Sequence, residues 1–81
     1  MIKRDQEWYR VDHIGEHEFE WYTLRVRDVG VVLREDGSVV YCRIDYQERG
    51  PGLDWHTIHM ESAERFAEKL KEYGGEYYDE D

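Results

Sequence analysis

The chain of 81 residues is the size of one domain and too short for two hydrophobic cores; at this length folding buries only about 60–65% of the unfolded surface, so the 12 aromatic side chains must serve as core material. Twenty acidic against eleven basic residues give a net charge of −9, which argues against DNA, RNA or an anionic membrane as a direct partner, because each repels carboxylates. The single cysteine, Cys42, excludes an intramolecular disulfide framework, and no apolar run reaches the ~18 residues of a membrane span or forms a signal core near the N-terminus, so the expected location is a reducing one, the cytoplasm.

In chain order, residues 7–11 (Glu-Trp-Tyr-Arg-Val) form a short aromatic and β-branched run, and residues 18–27 a longer one. Within the second run the apolar parity changes, from Phe19 and Trp21 to Tyr22, Leu24 and Val26, which predicts a β-bulge near Trp21 and Tyr22. Residues 29–35 and 38–46 flank Asp36-Gly37, a preferred pair for a two-residue type I′ hairpin turn. Closing the hairpin there sets Leu33 opposite Val40, Val31 opposite Cys42 and Val29 opposite Ile44. All three pairs are apolar, so they predict an inward face with Cys42 on it, and a wetter face with Tyr41 and Arg43. The Arg49-Gly50-Pro51-Gly52 segment reads as a surface loop, and residues 53–60 as a fifth strand. The period then becomes 3.6: Ser62 is the expected N-cap, Gly74 the expected C′ residue, and Ala63, Phe66, Ala67, Leu70 and Tyr73 share one helical face. The expectation is an α+β fold, an antiparallel β-meander of about five strands with one C-terminal helix packed on one face. Residues 1–74 make the domain, and residues 75–81 an acidic flexible tail.

The charge is segregated along the chain. Residues 12–20 hold Asp12, Glu16, Glu18 and Glu20 with no Lys or Arg, giving −4, and residues 72–81 hold Glu72, Glu76, Asp79, Glu80 and Asp81 with none, giving −5. These two stretches account for the whole −9. Around a helix, Glu61, Glu64, Glu68 and Glu72 fall within an arc of about 80° opposite the apolar stripe, an acidic ridge. Glu16, Glu18 and Glu20, if extended, share one strand face with carboxylates about 6.6 Å apart. The plainer account is a solvated, solubilising surface with ordinary i,i+3 and i,i+4 pairs such as Glu61 with Arg65 and Glu68 with Lys71.

Sites for chemistry are sparse. His13-x₃-His17 and His56-x₂-His59 invite a metal reading, but on a strand His56 and His59 point to opposite faces, so no metal or other cofactor is expected. The chain has no Gly-rich phosphate loop, nucleophile elbow or HExxH, and Cys42 in mid-hairpin lacks the electropositive setting that activates a thiol; a non-enzyme is expected. Trp21 is expected in the core, whereas Tyr77 and Tyr78, beyond the helix in the acidic tail, read as contact residues.

This small acidic meander with one helix, its carboxylates at Glu16, Glu18, Glu20, Glu64, Glu68 and Glu72 and its Tyr77-Tyr78-Asp79-Glu80-Asp81 end, resembles the phage-encoded inhibitors of host defence, including anti-CRISPR proteins. The resemblance covers build and charge and rests on no shared motif, and Arg25, Arg27, Arg34 and Arg43 interrupt what would be a uniformly DNA-like surface. It implies a non-catalytic, host-cytoplasmic binding protein that blocks a basic nucleic-acid-binding groove, such as that of a CRISPR effector, by nucleic-acid mimicry. The partner-binding residues would then be Asp12, the carboxylates just named, Glu76 and the tail end. The alternative is a structural or regulatory protein-interaction module, accessory or antitoxin-like, whose acidity serves solubility.

Overall fold

The computed structural model describes residues 2–52, 54–55 and 57–74. Within them lie β1 (Glu7–His13), β2 (Phe19–Leu33), β3 (Val39–Arg49), β4 (His59–Ser62) and the helix α1 (Ala63–Lys71). The strands form one antiparallel sheet in the order β1-β2-β3-β4, and α1 packs on one of its faces. The α+β architecture with a C-terminal helix matches the change of period in the sequence; the sheet has four strands among the described residues rather than about five.

One difference accounts for the strand count. Residues 18–27 and 29–35 belong to one 15-residue strand, β2, because the irregularity between them is a bulge at Arg27 that leaves the ladder continuous. The last strand is only four residues long, paired from His59 opposite Tyr46 to Ser62 opposite Arg43, so Asp54, Trp55, Thr57 and Ile58 lie outside it. The bulge expected near Trp21 and Tyr22 is absent: β1 and β2 pair without a shift from Glu7–Arg25 to His13–Phe19. The parity change there reflects a strand with apolar residues on both faces.

The real bulges set the core. Up to Val26 the inward residues of β2 are even-numbered (Tyr22, Leu24, Val26); past Arg27 they are odd, beginning with Val29. On β3 the inward set is Ile44 and Tyr46 on one side of Cys42 and Tyr41 on the other, with Cys42 as the extra residue. The expectation that Cys42 faces inward and Tyr41 outward is therefore reversed: Cys42 is exposed, and Tyr41 is buried with its hydroxyl accepting from the Ile2 amide at 3.0 Å.

The hairpin turn is also corrected. Asp36 keeps an ordinary negative φ, so no type I′ turn forms; Gly37 donates to the Arg34 carbonyl at 3.0 Å and takes φ +88°. This is a type I turn followed by a left-handed glycine, a three-residue loop of Glu35, Asp36 and Gly37. The Asp36 carboxylate selects it by accepting from both the amide and the hydroxyl of Ser38, at 2.9 and 2.7 Å. The loop pairs Leu33 with Val39 and Val31 with Tyr41; the expected register returns only at Val29 opposite Ile44, beyond the Cys42 bulge.

The helix forms as its pattern dictates. The Ser62 hydroxyl accepts from the Arg65 amide at 3.3 Å, and Ala63, Phe66 and Leu70 are buried; Glu72 caps the C-terminus, with Gly74 two residues on in the left-handed region. Nine residues are too few to hold an isolated helix, so tertiary contacts hold this one. Phe66 packs against Trp8 of β1 and Tyr46 of β3, reaching across the sheet. The Tyr73 hydroxyl donates to Glu48 Oε2 at 2.6 Å and Lys69 Nζ lies 3.0 Å from Glu48 Oε1, so one β3 carboxylate clamps the helix end. No helix among the described residues is long and apolar enough to cross a membrane.

Candidate functional site

The orientation of α1 decides where the charge lies. The Arg10 guanidinium stacks on Tyr22, 4.3 Å from the ring centre, and sits 5.2 Å from that of Tyr73. Arg10 and Tyr22 face each other three register steps from the last β1–β2 pair. Tyr73, just past the helix, is thereby pinned beside the β1–β2 hairpin, and the chain leaves α1 at the end of the molecule where residues 12–20 turn.

The individual carboxylates differ in how far they are neutralised. Ile14 donates its amide to the Glu18 carbonyl at 3.1 Å, so residues 14–18 form a turn, and the expected strand face of Glu16, Glu18 and Glu20 does not exist. Glu16 and Glu18 are exposed and, among the described residues, have no ion-pair partner. Glu20 accepts from the Tyr22 hydroxyl at 2.9 Å, and Asp12 lies 3.5 Å from Arg10. On the helix, Glu68 pairs with Lys71 and Glu72 with Lys69, and Glu61 belongs to β4, so the acidic ridge is shorter and more neutralised than its helical angles suggest. Glu64 is exposed. Burial alone would depress the Lys69 pKa, but its bonds to Glu72 and Glu48 outweigh burial and raise it. Glu76, Tyr77, Tyr78, Asp79, Glu80 and Asp81, and the expected flexible tail, lie outside the described residues.

Against the expectation for Trp21, strand alternation puts it on the face opposite the helix, where it is 63% exposed beside Tyr9 (60%) and Phe19 (53%). The Gly50–Trp55 side of the molecule meets this face: Gln47 Nε2 donates to the Trp55 carbonyl at 2.9 Å, and the Arg25 guanidinium stacks on the Trp55 ring at 4.4 Å. Arg25 is itself held by Glu7, whose Oε1 accepts from its Nε at 2.7 Å. The Tyr9 hydroxyl, first, and then Arg25 hold the Glu7 carboxyl below its usual range. Between Trp21 and Trp55 opens a cleft of about 660 Å³ with Thr23 and Arg25 among its lining residues.

No protein-family model, no curated protein and no solved structure matches this chain.

The aromatic cleft was the part sequence reasoning missed. Its signal was present in the odd-numbered apolar residues of β1 and β2, Tyr9, Val11, Phe19 and Trp21, which alternate with the inward set. Among the described residues, no three His, Cys, Asp or Glu side chains gather to hold a metal ion; His56 lies outside them.

Proposed function

We propose that this is a non-catalytic binding protein whose acidic hairpin end enters a basic, nucleic-acid-binding groove of a partner complex, the mode of the small phage-encoded inhibitors it resembles. The observation that carries the reading is the base-free acidic stretch of residues 12–20, whose turn carries Glu16 and Glu18 exposed and without an ion-pair partner among the described residues. Carboxylates held on a narrow protruding turn can enter a groove and take the positions of phosphates, and their attraction to a cationic wall speeds encounter. Trp21 and Phe19, beside that turn, supply the stiff aromatic contact area that favours tight interfaces.

Capture of the partner from host lysate at low and high salt, followed by displacement of nucleic acid from the captured complex, tests the reading. Affinity is expected to drop at least tenfold between about 50 and 500 mM salt, and to drop again in a Glu16→Lys/Glu18→Lys variant whose circular dichroism is unchanged. Binding that ignores both changes defeats it. The exposed Trp21 favours the second reading, a protein-interaction module acting through its aromatic face; loss of binding in Trp21→Ala with salt-independent affinity is its signature.

A further inference from the structure

We propose that the cleft between Trp21 and Trp55 is a receptor for an arginine side chain of the partner. The inference rests on the reading above and names the residue type that the acidic protein grips. Trp21, Thr23 and Arg25 are successive outward residues of β2, about 6.6 Å apart, and the guanidinium of Arg25 stacks on the Trp55 ring. The small Thr23 therefore floors a gap with Trp21 on one side and the Arg25–Trp55 stack on the other, within the cleft of about 660 Å³. Trp21 presents most of its ring to solvent at the edge of this gap.

Charge and the protein's own contacts identify the occupant. Glu7, Glu20 and Asp54 line the cleft with Arg25 and Arg49, and Glu7 already holds Arg25, so acids outnumber bases beside an exposed aromatic ring. A ring face with carboxylate nearby favours a cation. The molecule uses that pairing twice for itself. Arg10 lies 4.3 Å from the Tyr22 ring centre with Asp12 at 3.5 Å, and Arg25 lies 4.4 Å from the Trp55 ring centre with Glu7 at 2.6 Å. Every Lys and Arg of the chain lies among the described residues, and none of them stacks on Trp21. A cation for that ring has to come from another molecule, and a groove that binds nucleic acid is lined with them. Arginine fits better than lysine, because its guanidinium is flat and weakly hydrated: it can lie on the indole while its edge donates to a carboxylate, whereas an ammonium keeps its water.

Nuclear magnetic resonance of the full, isotope-labelled chain, titrated to ~20 mM with a blocked peptide of alternating arginine and glycine, tests this. About 0.5 M NaCl in the buffer screens general attraction to the acidic chain and leaves contact stacking in place. The tryptophan indole N–H signals report separately: those of Trp21 and Trp55 should shift, and that of Trp8, packed on Phe66 under the helix, should stay. The same peptide with lysine in place of arginine should bind about fivefold more weakly, and Trp21→Ala should weaken the arginine peptide by about as much while Trp21→Phe retains most of the affinity. The arginine–lysine comparison on the wild-type chain stands whether or not a variant folds. Shifts confined to the Glu16 and Glu18 amides, a lysine peptide bound as tightly as the arginine one, or a folded Trp21→Ala chain with unaltered affinity overturns the proposal. The titration needs no host complex, so the arginine receptor can fail while salt-dependent capture of a partner survives, and the reverse.

Discussion

The two hairpins of this sheet are made from similar material, aromatic and β-branched runs joined by a polar turn, and end with opposite surfaces. The β1–β2 hairpin closes on a turn bearing Glu16 and Glu18 and is buttressed by Tyr73, just past the end of α1, which packs against Arg10. The β2–β3 hairpin closes on Asp36-Gly37, carries no net charge from Val29 to Arg43, and extends past the helix, with Val31 and Leu33 exposed. Strand sequence alone does not produce this difference. It follows from where one nine-residue helix lies and which hairpin it leaves bare.

Breaking the helix contact should therefore have the largest effect. Phe66 is fully buried between Trp8 and Tyr46. Phe66→Ala is expected to cost about 3–5 kcal/mol, a large part of the stability of so small a domain, measured as a drop in the urea midpoint. Where it remains folded, the Arg10–Tyr73 contact should loosen, seen as faster amide exchange over residues 70–74.

Much of this was legible in the sequence. The helix stripe, the Ser62 cap and the inward places of Leu24, Val26 and Ile44 follow from periodicity, because each is decided by neighbours a few residues away. The bulges were not legible. One inserted residue at Arg27 or Cys42 flips every later side chain, and the choice between a two- and a three-residue turn at Asp36-Gly37 changes the register by one; the Ser38 hydroxyl and amide make that choice. The packing of Tyr73 against Arg10 was equally beyond a linear reading, since it depends on the direction in which α1 returns across the sheet.

The clamp that fixes that direction gives the next largest effect. Glu48→Ala removes the acceptor of Tyr73 and an ion-pair partner of Lys69, for an expected loss of about 1.5–3 kcal/mol in denaturant titration. Its pH dependence has a definite sign. Burial, and then the hydrogen bond to Glu48, pushes the Tyr73 phenol well above its ordinary 10.0. A group raised on folding adds stability that is whole below its unfolded value and is lost as pH climbs through the folded one, so the clamp should hold through pH 10 and fail only in stronger alkali. Phenolate absorbance of wild type against Tyr73→Phe reads this directly. Glu7, lowered by Tyr9 and Arg25, behaves in the opposite sense: its contribution is present above its ordinary 4.5 and lost as pH falls through the folded value.

A smaller cost belongs to the β2–β3 turn. Gly37 takes φ +88°, where a Cβ meets no atom within 4 Å but the backbone itself is unfavourable for an L residue. Gly37→Ala should cost about 1 kcal/mol by thermal melting.

The smallest effects are expected where the two ends are most different in appearance. Trp21 and Leu33 are both large, apolar and well over half exposed, one at the acidic end and one at the neutral end. Neither touches the core, so Trp21→Ala and Leu33→Ala should each move monomer stability by no more than about 0.5 kcal/mol, within the range of ordinary surface changes. Side chains that contribute so little to folding yet expose so much apolar area are better explained by contacts outside the monomer. The two variants then separate by function: Trp21→Ala should lower affinity for the basic partner, and Leu33→Ala should leave it unchanged. If either variant destabilised the dilute monomer by 2 kcal/mol or more, that side chain would belong to the fold, and the end carrying it would lose its claim to be a binding surface.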